Sequence, residues 1–181
     1  ISQAGDGNDA DVSQSGMNND SAVTQDGLAT GSDGVANVAA IVQDGTDGFS
    51  KLVQDGDNSA SVTQTSASDG MNSELSQIND GGGASNSATV TQSGMGAGVG
   101  SNTGSVLIQN GTGESAIVLQ DVDTVDALSM INQSGTDGGV TVEQTLGTGV
   151  TSMVTQSGVG QSAYVRQAGD GGYSELTQSN E

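Results

Sequence analysis

Ala10-Asp11-Val12-Ser13-Gln14-Ser15-Gly16 is followed eleven residues later by Ser21-Ala22-Val23-Thr24-Gln25-Asp26-Gly27. In both stretches a small, an aliphatic and an amide side chain alternate with other residues. A glycine stands two places past the amide. Period two is the mark of a β-strand with one inward face. Ala10, Val12 and Gln14 therefore point inward, and Asp11 and Ser13 point out.

The pattern runs through the whole sequence. Fifteen of the sixteen glutamines occupy the amide position: Gln3, Gln14, Gln25, Gln43, Gln54, Gln64, Gln77, Gln92, Gln109, Gln120, Gln133, Gln144, Gln156, Gln167 and Gln178. Two places before them stand Ile1, Val12, Val23, Ile41, Leu52, Val62, Leu75, Val90, Leu107, Val118, Ile131, Val142, Val154, Val165 and Leu176. A fixed short period is the signature of a repeat architecture. Four places before glutamine, Ala and Ser alternate, as in Ala10, Ser21, Ala39 and Ser50, with Val140 as the exception. The unit is therefore a pair of strands. The spacing predicts an all-β, two-sheet parallel β-solenoid of about seven two-strand coils, one domain over 1–181, with a leading half-strand at 1–3.

Gly5, Gly16, Gly27, Gly45, Gly56, Gly94, Gly111, Gly135, Gly158 and Gly169 follow the glutamines at the same offset. Glycine there supplies the positive φ that a sharp corner needs. Val122 and Leu146 replace it, so those two turns are expected to differ. Longer intervals between glutamines place looped insertions near 28–36, 80–86 and 95–104, at the coil edge and outside the strand register. Like strands stacked on like put the glutamines in columns. Each amide has two donors and an acceptor, so a column can bond along itself, whereas a column of carboxylates would repel itself.

Composition taken alone points elsewhere. Thirty glycines, three large rings (Phe49, Tyr164 and Tyr173) and a net charge of −20 describe a chain without a conventional core. The preserved register argues against disorder. With Lys51 and Arg166 as the only cations, the chain cannot neutralise phosphates, so nucleic-acid partners are excluded. No apolar run is long enough to span a bilayer as a helix, and no membrane insertion is expected. There is no cysteine and no histidine, which removes thiolate, imidazole and the usual zinc chemistry. Asp121 and Asp123 read as solvated turn acids. No enzyme is expected, and no cofactor beyond weak Ca²⁺ binding by acidic turns. Ile1 already sits in the pattern, so the sequence reads as a processed chain or a part of a longer one.

Gln3-x-Gly5-x-x-Asn8-x-Ala10-x-x-x-Gln14 resembles the curlin repeat of bacterial curli fibres. Gln156-x-Gly158-x-x-Gln161-x-Ala163-x-x-x-Gln167 differs by Gln for Asn, and the stretch from Gln54 to Gln64 is one residue shorter. Asn37 and Asn86 keep the Asn-x-Ala-x-x-x-Gln half. The resemblance implies a secreted, extracellular structural subunit of a biofilm matrix and cell-surface adhesion fibre, a functional amyloid. It also implies a nucleator subunit and an outer-membrane secretion pore as partners.

Two rival readings use other features. Asp26-Gly27, Asp44-Gly45, Asp47-Gly48, Asp55-Gly56 and Asp69-Gly70 are oxygen-rich turns that suit a calcium-binding β-roll, although the nonapeptide repeat of that class is missing. Outward Thr24, Thr63, Thr91, Thr155 and Thr177 suit a monomeric adhesin or ice-binding solenoid, but Ser13, Val42, Val53 and Glu143 break the row. Both ends of the pattern present strand edges without proline or a capping helix. Head-to-tail homopolymerisation into an open filament is the expected association.

Overall fold

The computed structural model describes residues 1–5, 7–27, 37–65, 70–79, 84–93, 104–121 and 124–180. Among them are β1 (Ser2–Ala4), β2 (Asp9–Met17), β3 (Asp20–Asp26), β4 (Val38–Thr46), β5 (Phe49–Asp55), β6 (Asn58–Gln64), β7 (Asn72–Ile78) and β8 (Asn86–Gln92). The chain continues through β9 (Gly104–Thr112), β10 (Ser115–Gln120), β11 (Thr124–Val125), β12 (Leu128–Thr136), β13 (Gly139–Thr145) and β14 (Gly147–Thr148). It ends with β15 (Thr151–Val159), β16 (Ser162–Ala168) and β17 (Tyr173–Ser179).

Successive long strands alternate between two walls. One sheet runs β1-β3-β5-β7-β9-β12-β15-β17 and the other β2-β4-β6-β8-β10-β13-β16, and every pairing is parallel. This is a β-solenoid. Ala10 pairs with Ala39, Val12 with Ile41 and Gln14 with Gln43. Ser21 pairs with Ser50 and Val23 with Leu52 in the opposite wall. The register is set by burial, since a slip of one residue would turn every inward side chain to solvent.

The core is one row of aliphatic side chains from each wall. Val23, Ile41, Leu52, Val62, Leu75, Val90, Leu107, Val118, Ile131, Val142, Val154 and Val165 are buried. Val12 and Leu176 are partly buried, because β2 is the outermost strand of its sheet and β17 of the other. Ala39, Ala60, Ala88, Ala116 and Ala163 beside them keep the walls close.

Two local readings need correction. Insertions expected over 80–86 and 95–104 are shorter, because Asn86 already belongs to β8 and Gly104 to β9, each paired along its full strand; 28–36, 80–83 and 95–103 lie outside the described residues. The glycines past glutamine are not simple corners. Gly16, Gly111, Gly135 and Gly158 sit inside ladders that run on for one more residue. Glycine is needed there for two reasons. Gly135 has φ +141, and a Cβ on it would overlap the carbonyl oxygen of Gly158 in the next coil. Gly5, Gly56 and Gly169 also have positive φ, while Gly45 does not; the Gly27 carbonyl lies where a Cβ on Gly5 would stand, and Gly94 falls outside the described residues. Leu146, expected to make a different turn, takes the left-handed φ of 56° itself. Two places further on from the expected corners, Asn18, Asp47 and Asp137 carry φ of 56–57°. Asn and Asp tolerate that region because their short side chains bond locally. A small extra sheet, β11 with β14, was not foreseen.

Candidate assembly site: the glutamine files

Each strand of the two walls delivers its glutamine to the same height of the wall, one coil from the next. In the first sheet the Nε2 of Gln3 donates to Gln25 Oε1, Gln25 to Gln54, Gln54 to Gln77 and Gln77 to Gln109. The file goes on from Gln109 to Gln133, Gln156 and Gln178, at distances of 2.7–3.1 Å. In the second sheet Gln14 donates to Gln43, then Gln64, Gln92, Gln120, Gln144 and Gln167 follow at 2.6–3.1 Å. Every bond in both files points the same way, from the N-terminal coil toward the C-terminal one.

The second hydrogen on eleven of these Nε2 groups does different work. Gln25 donates it to the Asp9 carbonyl, Gln43 to Asp20, Gln54 to Val38, Gln92 to Asn72 and Gln109 to Ser87. Gln64, Gln77, Gln120, Gln133, Gln144 and Gln167 do the same to Phe49, Ser59, Gly104, Ser115, Leu128 and Thr151. All of these bonds, at 2.9–3.2 Å, run from the end of a strand in one wall to the start of a strand in the other. The amides from Gln25 to Gln144 thus bind the coil beyond them and clamp the two sheets at the corner. The inner glutamines are buried to within 2% exposure, where an unpaired amide would be costly; Gln167 is 9% exposed, and Gln3 and Gln14 are exposed.

A third file was missed by the sequence reading. Asn8, Asn37, Asn58 and Asn86 stand six places before Gln14, Gln43, Gln64 and Gln92, at the start of the second wall. Asn37 Nδ2 donates to Asn8 Oδ1 and to the Asp26 carbonyl, and Asn37 Oδ1 accepts the Asn58 backbone N–H. Asn58 and Asn86 donate to the carbonyls of Asp55 and Ile78. These side chains close the backbone at the same corner that the first-sheet glutamines clamp, bonding to the carbonyls of Asp26, Asp55 and Ile78 just past Gln25, Gln54 and Gln77. The half-motif Asn-x-Ala-x-x-x-Gln was the available signal.

Glu114 takes the next place in that file. Its backbone N–H donates to Asn86 Oδ1, its side chain is 2% exposed, and its Oε2 has no partner. Gly138 follows it with no side chain at all. Burial pushes the Glu114 carboxyl up from 4.5 to about 7, against a smaller downward pull from a backbone hydrogen bond at Asn110. A protonated carboxyl has one donor and one acceptor, the same pair that asparagine uses here. Exposed Asp137 lies beside Gly113 on the adjoining turn.

The first coil and a half, from β1 to β3, contains the complete motif with Gln3, Asn8, Ala10, Gln14 and Gln25 all placed as rungs of these files. A curlin associated repeat model matches residues 1–27. No curated protein and no solved structure matches the chain. The rungs that follow the matched curlin repeat reproduce its bonding coil after coil, to Gln167 and Gln178. Among the described residues no group of three or more Asp and Glu is gathered to hold a metal ion, and no helix is long and apolar enough to cross a membrane.

Proposed function

We propose that this chain is a structural subunit of an extracellular, curli-like fibre, and that copies add end to end by continuing the glutamine files. The observation that carries the reading is the common direction of every amide bond. Gln3 and Gln14 donate into the stack, so their Oε1 atoms face outward at one end. Gln156 and Gln144 donate to Gln178 and Gln167, whose Nε2 groups are turned toward the next rung at the other. In the eight-stranded sheet, which holds both β1 and β17, one end offers an acceptor and the other a donor, so a second copy fits head to tail along that file. Parallel strands stacked in register are the geometry of cross-β assemblies. The contact does not close on itself and builds a filament.

The resemblance to curlin repeats supports secretion, a place in a biofilm matrix and adhesion, with a nucleating subunit and an export pore as partners. The absence of histidine and cysteine supports a non-enzymatic role, and no cofactor is called for. Removing residues 1–14 or 168–181 takes away one face of the contact, and either deletion is expected to slow fibre growth sharply. Growth is followed by turbidity, and fibres should give a meridional reflection near 4.8 Å. Unchanged kinetics in both deletions would refute the reading.

A further inference from the structure

The outward face of the eight-stranded sheet carries an order that neither the core nor the glutamine files require. From β5 to β17 one stack runs Lys51, Glu74, Val106, Met130, Met153, Glu175. The neighbouring stack runs Phe49, Asn72, Gly104, Leu128, Thr151, Tyr173. Read backwards against themselves, the two stacks set like or complementary side chains opposite one another at every level but one, Glu74 against Met153. Reversal sets Lys51 against Glu175 and Val106 against Met130. It also sets Phe49 against Tyr173, Asn72 against Thr151, and the missing side chain of Gly104 against Leu128. The outward positions of β9, β12 and β15 bear no charge, on a chain whose net charge is −20.

We propose that this face is a lateral contact surface for a second copy of the chain, with the two solenoids stacked in opposite directions. A two-fold axis lying between the sheets and along the strands performs the reversal, and such a contact is self-complementary. Lys51 and Glu175, both exposed, then form two equivalent ion pairs at the rim. Around the axis Val106 meets Met130, and Leu128 enters the space over Gly104. No acid on these strands opposes another, since Glu74 lies across from Met153 and Asp55 across from Ser179. Stacking in the same direction keeps each strand level with itself, so Lys51 and Glu175 stay five strands apart and never meet.

The size of the face decides when the contact forms. Six strands about 4.8 Å apart, with outward residues spread over roughly 13–20 Å, cover on the order of 500 Å² per copy. About 1,000 Å² in total falls short of the roughly 1,200 Å² of a stable interface. Single solenoids therefore pair only weakly. A filament repeats the face once per subunit, and neighbouring contacts then reinforce one another through effective concentration. This strengthening rests on the fibre reading, whereas the pairing geometry does not.

The test is charge reversal at the rim. Lys51→Glu and Glu175→Lys are compared singly and together, with low-speed pelleting reporting bundles and high-speed pelleting reporting total fibre. Each single reversal should cut the bundled fraction by about fivefold or more, since two ion pairs are lost per contact, with total fibre unchanged. The double variant should return to within about twofold of the parent. In both the Lys51 variant and the double variant the new acid still stacks on Glu74, so recovery separates pairing across the interface from repulsion within the sheet. Leu128→Asp should abolish bundling in either background. Bundles indifferent to the single reversals, or a double variant that stays unbundled, would overturn the proposal. If nothing pellets at high speed, the fibre reading fails, and the same four proteins are run in sedimentation velocity at high concentration. Weak dimers that vanish in the single variants and return in the double one would support the surface, and their indifference would overturn it.

Discussion

Gln109→Leu removes one amide from the middle of the first file and keeps a side chain of similar size inside β9. Three bonds go with it: from Gln77 Nε2 at 2.8 Å, to Gln133 Oε1 at 3.0 Å and to the Ser87 carbonyl at 3.1 Å. Gln109 is 0% exposed, so water cannot take over. Gln133 Oε1 is left against hydrocarbon, Gln77 Nε2 keeps only the Ser59 carbonyl, and Ser87 loses its link to the other wall. A buried polar group left unpaired costs about 1–3 kcal/mol, so three amount to roughly 3–9 kcal/mol. The leucine returns about 1–2 kcal/mol through its apolar surface. The net loss is then on the order of 1–8 kcal/mol, a large share of a typical domain's stability. Gln14→Leu is the control. Gln14 is exposed at the edge of its sheet, its single side-chain bond runs to Gln43, and its loss costs about 1 kcal/mol or less. Urea unfolding of the soluble chain, followed by far-ultraviolet circular dichroism, measures both. If the two variants lie within about 0.5 kcal/mol of each other, the amide files do not hold the coils together.

Glu114→Gln should stabilise the solenoid at neutral pH and leave it unchanged below about pH 4.5. The folded carboxyl titrates near 7 rather than 4.5, so the folded state keeps a proton that the unfolded state has lost, and the parent weakens as pH rises between those values. The difference between the two proteins should grow to no more than about 3 kcal/mol by pH 8, read from denaturation midpoints across the range. Gly135→Ala should cost roughly 2–4 kcal/mol, since it combines left-handed strain with overlap on Gly158. Gly149→Ala, with φ +69 but open space around it, should cost only about 1 kcal/mol; thermal melts compare the pair. Fibre growth should accelerate with added salt, which screens the net −20 charge, and again on acidification toward the carboxylate range. Slower growth under both conditions would contradict that electrostatic account.

The walls were legible because Val, Ile or Leu stands two places before each glutamine, and only a period of two explains Ala10, Val12 and Gln14 together. The vertical bond between glutamines followed from like strands stacking on like. The clamp from Gln109 to the Ser87 carbonyl did not, because it needs the height of one wall relative to the other, which no single strand encodes. Corners were misplaced for a related reason. Glycine after glutamine suggested a turn, but Gly135 serves the close approach of Gly158, and the left-handed residue is Asp137 two places later. Glu114 looked like one of 22 acids. Its distance from Gln120 was the overlooked signal, equal to that of Asn8 from Gln14.

Gln25 and Gln43 are eighteen residues apart, against eleven for Gln14 and Gln25, yet β4 still meets β2 residue for residue. The interval between Gly27 and Asn37 is thus a place where foreign sequence could be grafted without moving a rung. In a filament joined through the eight-stranded sheet such a graft would recur about every 38 Å along the axis. The scaffold would then act as a ruler, setting the spacing of displayed peptides, enzymes or mineral-binding groups by the coil count alone.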